Sequence, residues 1–375
     1  MKISYVHDFR FYTNGTELYT AVGLPEKYFD RFFNAGVSII SIISRSSTKE
    51  ESEIVSMGFE KILNENLSIG SSFGNYFGLF SPRNIVATYK EISSSKLIVI
   101  NFPSITGMYI YGLNIFANKP YIVEVAAGSD QFLSKKGGGF VTYLIEKIFP
   151  KVVSKSNGAI YVSSHLSVKY PHNISVVASN VYISKTRKAN RILEKEKNVE
   201  ILFAGGVNRR KGIDTLLLSI QQLVEDGFSN IRLNIAGGHL DRDYQAMAEE
   251  LGIKDFVIFH GLLERAFLNE LYDKADIYVQ PSLAEGIPRA TIEAMSYGLP
   301  VVATKLPGFR EILDEEFLVS IGDHRELTQK IKNLIQEEDL YRDVSARNLS
   351  RANDFLISTL DSKRNEFYEK VFKTL

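Results

Sequence analysis

At 375 residues the chain holds two to three domains' worth of sequence at roughly 100 to 200 residues each, so one small core cannot organise it. A composition of 45% hydrophobic and 23% charged residues with 10 Pro excludes a disordered or collagen-like chain, and the absence of Cys excludes disulfides, thiolate catalysis, iron–sulfur clusters and Cys-based zinc sites. The 44 basic and 44 acidic residues cancel, which argues against a wholesale polyanion binder.

The N-terminal MKISYVHDF reads as a first β-strand, with no apolar h-region of a secretion signal. Further β-branched runs follow at Val37–Ile43, Leu97–Ile100, Tyr121–Val125, Ala159–Val162 and Ser175–Ala178, and again at Glu200–Ala204, Arg232–Ala236, Phe256–Phe259, Ile277–Gln280 and Pro300–Thr304. Helical patterns alternate with them, which is the syntax of βαβ units and parallel sheets. No run reaches the roughly 18 apolar residues of a bilayer span; Ser38 and Ser41 interrupt the stretch up to Ile43.

Residues 183–198 are charged and lack apolar periodicity, so the interdomain linker is placed there. The expected organisation is α/β throughout: a Rossmann-like domain over 1–182, a second over 199–352, and an amphipathic helix over 353–375 carrying Leu356, Leu360, Phe367, Tyr368 and Val371. Open parallel sheets bind ligands outside the carboxyl ends of their strands, so two such domains are expected to enclose a cleft. Up to position 190 there are 20 basic and 13 acidic residues, and beyond it 24 and 31, giving halves of +7 and −7.

The segment DIYVQPSLAEGIPRATIEAMSYGLPVVATKLPGFRE runs from a strand through a Glu-Gly turn into a helix with Pro288 at its first turn. Backbone N–H groups of Gly286 and Ile287 beside a helix start favour a phosphate or carboxylate. Glu285 and Glu293 put two carboxylates about 10 Å apart along one side of that helix start. This is too long for a retaining glycosidase pair at about 5 Å, and it suits acceptors for hydroxyls at two ends of an elongated ligand. A second segment, ILFAGGVNRRKGIDTLLLSIQQL, places Arg209, Arg210 and Lys211 just before a helix, where cations imply a bound anion. Neither GxxxxGK[ST] nor GxGxxG is present.

Together these segments resemble glycosyltransferase family four, retaining enzymes of GT-B fold, in which a Glu, seven residues and a second Glu follow a strand ending in Pro-Ser. The resemblance extends to GLPVVAT at 298–304, PGFRE at 307–311, the Lys211-Gly212 turn and His260-Gly261. It implies a GT-B arrangement whose C-terminal helix crosses back to the N-terminal domain. It further implies that Glu293 accepts ribose hydroxyls of a nucleotide sugar, Glu285 contacts the transferred sugar, and Lys211 pairs with the diphosphate beside Gly286, Ile287 and Pro288. His260 and Gly261 would lie near the base. The family often has an Arg where this chain has Gly206, so that phosphate contact is missing or comes from Arg209 or Arg210. In the N-terminal half, NGTELYTAVGLPEKYFDRFFNAG is read as the family's glycine loop and helix, with Gly23 and Leu24 offering backbone contacts to the diphosphate. Asn14, Gly128 and Asp130 are the candidates near the acceptor; many relatives carry a His-Gly where this chain reads Ala127-Gly128-Ser129-Asp130.

The implied activity is sugar transfer from a UDP- or GDP-linked donor to a saccharide or lipid-linked saccharide in polysaccharide or glycolipid biosynthesis. The alternatives are a GT-B-fold epimerase or phosphorylase, or an inactive nucleotide-sugar-binding subunit. The six His show no paired metal-ligand spacing, so no metal and no cofactor are expected, and no basic-aromatic stripe points to nucleic acid. Basic charge with aromatic clusters at Tyr28–Phe33 and Phe73–Phe80 suits peripheral contact with an anionic membrane from the cytoplasmic side, although aromatics at helical spacing also suit a core.

Overall fold

The computed structural model describes residues 1–21, 23–128, 140–187, 191–194, 197–238 and 240–375. Two compact units emerge, one of residues 1–180 with 361–375, the other of residues 181–360.

In the first unit the long strand β1 (Lys2–Thr13) is central. It is followed by β2 (Leu18–Thr20), β3 (Ile39–Thr48), β4 (Glu60–Lys61), β5 (Leu67–Phe73), β6 (Leu97–Phe102), β7 (Tyr121–Val125), β8 (Gly158–Tyr161) and β9 (Ser175–Val177). The order is β4-β2-β1-β6-β7-β8-β9, with β3 parallel to β1 and β5 parallel to β3. Helices Pro82–Ser94, Ile105–Ala117 and Phe140–Ser154 supply the crossovers. Asp8 at the carboxyl end of the β1 core caps the 105–117 helix, accepting from the Ile105 and Thr106 N–H groups at 3.0 and 2.9 Å. The stretch read as a glycine loop and helix is a hairpin instead: β1 continues to Thr13 and turns back through 14–17 into β2, antiparallel to it. A short Glu26–Phe29 turn and the Asp30–Asn34 helix follow.

The Tyr28 cluster is core. Arg31 and Glu124 are both buried and paired at 2.7 Å, and Arg31 lies 3.5 Å above the Tyr28 ring. The hydroxyls of Tyr5 and Tyr28 both donate to Glu124. The Ile357–Phe372 helix buries Leu360, Phe367, Tyr368 and Val371, and from Asp361 onward it belongs to the first unit. Gly158 makes room for it, since a Cβ there would stand 2.8 Å from Phe367 and 2.9 Å from Val371.

The second unit is an all-parallel sheet of β10 (Val199–Ala204), β11 (Ile231–Ala236), β12 (Val257–Gly261), β13 (Ile277–Gln280), β14 (Val301–Thr304) and β15 (Leu318–Val319). The order β12-β11-β10-β13-β14-β15 reverses direction between β10 and β13, the switch point of a doubly wound sheet. One face packs the Ile213–Glu225 and His324–Gln336 helices through Leu216, Ile220, Leu327 and Ile331; the other packs Tyr272, Ile292, Met295 and Phe309.

The segment expected as a solvated linker is fastened to this unit. Ile183 bridges Leu356 and Leu193 is in the core. Arg191 donates to the carbonyls of Tyr272 (2.9 Å), Asp273 (3.1 Å), Ala275 and Tyr297 (2.8 Å). Charge without periodicity marked this stretch as solvent-facing, but a planar guanidinium satisfies the orphan carbonyls at a helix C-terminus as readily as water does. Among the described residues, no helix is long and apolar enough to cross a membrane.

Candidate active site

The carboxyl ends of β10 and β13 stand side by side at the switch point, and the loops leaving them build a cavity of about 410 Å³. Ala204 and Gly205 from the first loop, Lys211 beyond it, and Glu285, Ile287, Pro288 and Glu293 from the second all line it, together with Arg265 and Tyr272. The turn carrying Lys211 is fixed locally: the Asn208 side chain accepts from the Lys211 N–H at 3.2 Å, and Gly212 adopts φ +75°. A Cβ on Gly212 would lie 1.8 Å from the Pro281 carbonyl, so the two loops touch only because this position is glycine. Arg210 ties them further, donating to the Ala284 carbonyl at 3.1 Å while its own carbonyl accepts from the Leu283 N–H at 2.8 Å.

The Lys211 ammonium contacts the Glu285 carboxylate directly, their side chains 16% and 10% exposed. The Ser282 hydroxyl donates to the same Glu285 oxygen at 3.2 Å and itself accepts from the Gln280 amide at 3.0 Å. Tyr278 closes this buried relay, its hydroxyl bonded to Gln280 and to the Ala204 carbonyl. Burial pushes the Tyr278 phenol far above its ordinary pKa, so it acts only as a neutral donor. Glu293, on the Arg289–Ser296 helix, accepts from Arg265 at 2.9 Å and from the Tyr272 hydroxyl at 3.4 Å.

The structure therefore brings Lys211, Glu285, Ile287, Pro288 and Glu293 into one cavity. Pro288 is the N-cap rather than the first helical residue, and Gly286 lies in the turn, its carbonyl against Gly308. Arg209 is exposed, its N–H held by Asp241 at 2.8 Å, and Gly206 sits in the same loop outside the cavity lining.

His260 does not face this cavity. It sits at an irregular step of β12, and its Nε2 bonds to the Asn234 amide oxygen at 2.9 Å, with Asn234 in turn donating to Glu200 at 2.7 Å. Burial pulls its pKa below the usual histidine value. Gly261 (φ +66°) contributes its carbonyl to the Gly237 N–H.

In the first unit, the Leu24 N–H is spent on the Ala21 carbonyl at 2.9 Å and its side chain is buried, so it is not a free backbone donor; Gly23 packs against the Phe9 ring. Asn14 is a turn former whose oxygen accepts from the Thr16 and Glu17 N–H groups. Gly128 is buried just beyond β7, and Asp130 lies outside the described residues. Arg265, Tyr272 and Gln280, which line the cavity, and Tyr278, which reaches it through Gln280, were missed by sequence reasoning, since the cavity joins separate segments.

A roomier hollow of about 840 Å³ opens at the amino ends of β10, β11 and β13, lined by balanced charges such as Arg232, Lys274, Glu200 and Asp276. Its place at the wrong end of the strands and its lack of a helix N-terminus argue against it as the reaction site. Among the described residues, no group of three or more His, Asp or Glu is arranged to hold a metal ion.

Residues 184–351 match the family model of glycosyl transferases group 1. The second unit is a group 1 glycosyl transferase domain. Over nearly its full length the chain is similar to Protein CapJ of Staphylococcus aureus, 25% identical across 98% of this chain and 94% of the relative. The O-antigen chain mannosyltransferase RfbU of Salmonella typhimurium is 30% identical over 46% of this chain and 49% of its own. Among solved structures, Anabaena Alr3699/HepE in complex with UDP superposes with a TM-score of 0.68 over 100% of both chains at 14% identity, a likeness of fold. The chain thus has the GT-B type of fold, two Rossmann-like α/β units.

Proposed function

We propose that this protein is a retaining glycosyltransferase that moves a sugar from a nucleoside-diphosphate sugar to a saccharide or lipid-linked saccharide acceptor in polysaccharide or glycolipid biosynthesis. The observation that carries the reading is the convergence of Lys211, Glu285, Glu293 and a helix N-terminus on one cavity at the switch point. Names of relatives such as the O-antigen chain mannosyltransferase agree with it.

Glu293, deep in the cavity, takes the ribose hydroxyls. The diphosphate lies across the N-terminus of the 289–296 helix and the Gly286 and Ile287 N–H groups, with Lys211 beside it. An ammonium has three N–H donors, so Lys211 can keep Glu285 and still hold a phosphate oxygen. Glu285, locked by Lys211 and Ser282, faces the sugar as positive character develops at the anomeric carbon. In the transfer the bond from that carbon to the diphosphate oxygen breaks and a bond to the acceptor oxygen forms on the same face. The acceptor's proton passes to the departing phosphate oxygen, leaving nucleoside diphosphate and glycosylated acceptor. None of these steps requires a metal or cofactor.

The test is nucleoside diphosphate release from UDP- and GDP-sugars, with and without acceptor saccharide. Glu285→Ala and Lys211→Ala are expected to lower turnover by about two orders of magnitude or more, the scale of losing an oriented charge stabiliser. Normal kinetics in both variants would remove the assignment, and isomerised donor without release would favour an epimerase.

A lipid-linked acceptor is favoured by the surface of the first unit. Helix Ile105–Ala117 contains no charged residue yet leaves Ile115 and Phe116 exposed, Phe116 at 78%. Phe77 (87% exposed) and Phe80 project from the neighbouring turn, Phe80 6.0 Å from Tyr109 of that helix. Flanking helices add exposed Arg83, Lys90, Lys147 and Lys151, a pattern that suits anionic headgroups from the cytoplasmic side. The full chain is expected to cosediment with phosphatidylglycerol vesicles, less so in high salt, and Phe77→Ser/Phe116→Ser to release it. Equal sedimentation of the double variant would refute this surface.

A further inference from the structure

Arg265 stands at the first position of the Arg265–Lys274 helix. A cation there opposes the positive end of the helix dipole, so its placement calls for a compensating anion. The anion is Glu293, 2.9 Å away. The two differ sharply in exposure: the Arg265 side chain is 60% open to solvent, that of Glu293 only 11%. A guanidinium reaching in from the surface holds a nearly buried carboxylate, and both line the cavity.

The two oxygens of Glu293 are gripped separately. Arg265 donates to Oε1 and the Tyr272 hydroxyl to Oε2. A carboxylate offers about four lone-pair sites, so one acceptor site remains on each oxygen. Two neighbouring acceptors in a fixed plane match two neighbouring hydroxyls of one sugar ring. Burial keeps the Tyr272 phenol protonated, and its one O–H is shared between this carboxylate at 3.4 Å and the Ala290 carbonyl at 3.3 Å, so Arg265 is the stronger of the two holds.

We infer that Arg265 is a positioning and specificity-determining residue that locks the Glu293 carboxylate to recognise the vicinal diol of a ribonucleotide. The inference rests on the reading that Glu293 takes the ribose of the donor. It adds a residue and a consequence: discrimination between ribo- and deoxyribonucleotides depends on a side chain that need not touch the nucleotide. The guanidinium's planar fork makes it better suited than an ammonium to fix a carboxylate's plane.

The experiment is calorimetric titration of the full-length protein with UDP or GDP, whichever binds, and with its 2′-deoxy and 2′,3′-dideoxy counterparts. Wild type, Arg265→Ala, Arg265→Lys and Glu293→Ala are compared. Arg265→Ala is expected to weaken ribonucleotide binding by about tenfold, the scale of one charged hydrogen bond, while leaving dideoxynucleotide binding unchanged. The ribose preference should fall with it, and Arg265→Lys should recover part of it. Equal weakening for all three sugars would overturn the inference by moving Arg265's action to the phosphates. Tighter ribonucleotide binding in Arg265→Ala would overturn it by making Arg265 a competitor of the diol. Glu293→Ala separates the two levels. If it abolishes the preference while Arg265→Ala keeps it, the inference alone fails; if it too keeps the preference, the ribose reading fails with it.

Discussion

The contact between Lys211 and Glu285 makes a prediction in which stability and activity part company. The Lys211 side chain is 16% exposed and that of Glu285 10%, and Ser282 adds one hydrogen bond to the carboxylate. Lys211→Met leaves a carboxylate in that site without its cation. Breaking a fully buried pair from one side costs about 3–5 kcal/mol; residual exposure and the Ser282 donor reduce this to about 2–3 kcal/mol. For a unit of this size each kcal/mol moves the melting midpoint by about 2–4 °C, so a drop of roughly 5–10 °C is expected. Adding Glu285→Gln removes the stranded charge, and the double variant should melt within a few degrees of wild type. Transfer activity should nevertheless stay at least about a hundredfold down in both single variants and in the double. The assay is a double-mutant cycle of thermal unfolding on the full chain, with product release measured alongside. Additivity of the two substitutions to within about 0.5 kcal/mol would refute the buried pair, because side chains in contact couple by more than that.

Gly212→Ala should destabilise the second unit by more than about 2 kcal/mol and abolish donor binding, since φ is +75° and a Cβ would collide with the Pro281 carbonyl; a normally stable, active variant would show that the two loops do not touch. Burial depresses the pKa of His7 in the first unit and of His260 in the second, so both folded units favour the neutral ring. The unfolded chain takes up protons from about pH 6.5 downward, hence the stability is present above that pH and is lost as the pH falls through the lower folded values. Urea midpoints at pH 7.5 and 5.5 should fall in wild type and fall less in His7→Asn and His260→Asn; an unchanged drop in both variants would contradict the assignment.

How far the sequence carried these conclusions depends on whether the signal was local. Strands such as Tyr121–Val125 and Ile277–Gln280 were legible residue for residue because buried parallel strands are short β-branched runs bounded by turns. The Glu-Gly turn was legible because a strand, a flexible turn and a helix start follow one another within a dozen residues. The β2 and β4 strands were not, since three and two residues carry too little periodicity, and the turn around Asn14 uses its polar side chain as a local cap rather than a ligand. The direction of the His260 side chain was not legible, because the irregularity between β11 and β12 aims it at Asn234 and no count along the strand foretells that step.

The linker shows the deepest reason. Arg191 looked like one more solvated charge, yet its four carbonyl partners lie more than 80 positions further on, a separation at which composition says nothing about destination. Those partners include the last carbonyls of the 265–274 helix, where a cation is favoured by the dipole. The same helix begins with Arg265 and carries Tyr272, the two side chains that hold Glu293. Fastening its C-terminal end through Arg191 therefore fixes, one helix length away, the carboxylate assigned to the ribose. The segment that sequence pattern set aside as a spacer is thereby part of the support of the proposed donor site.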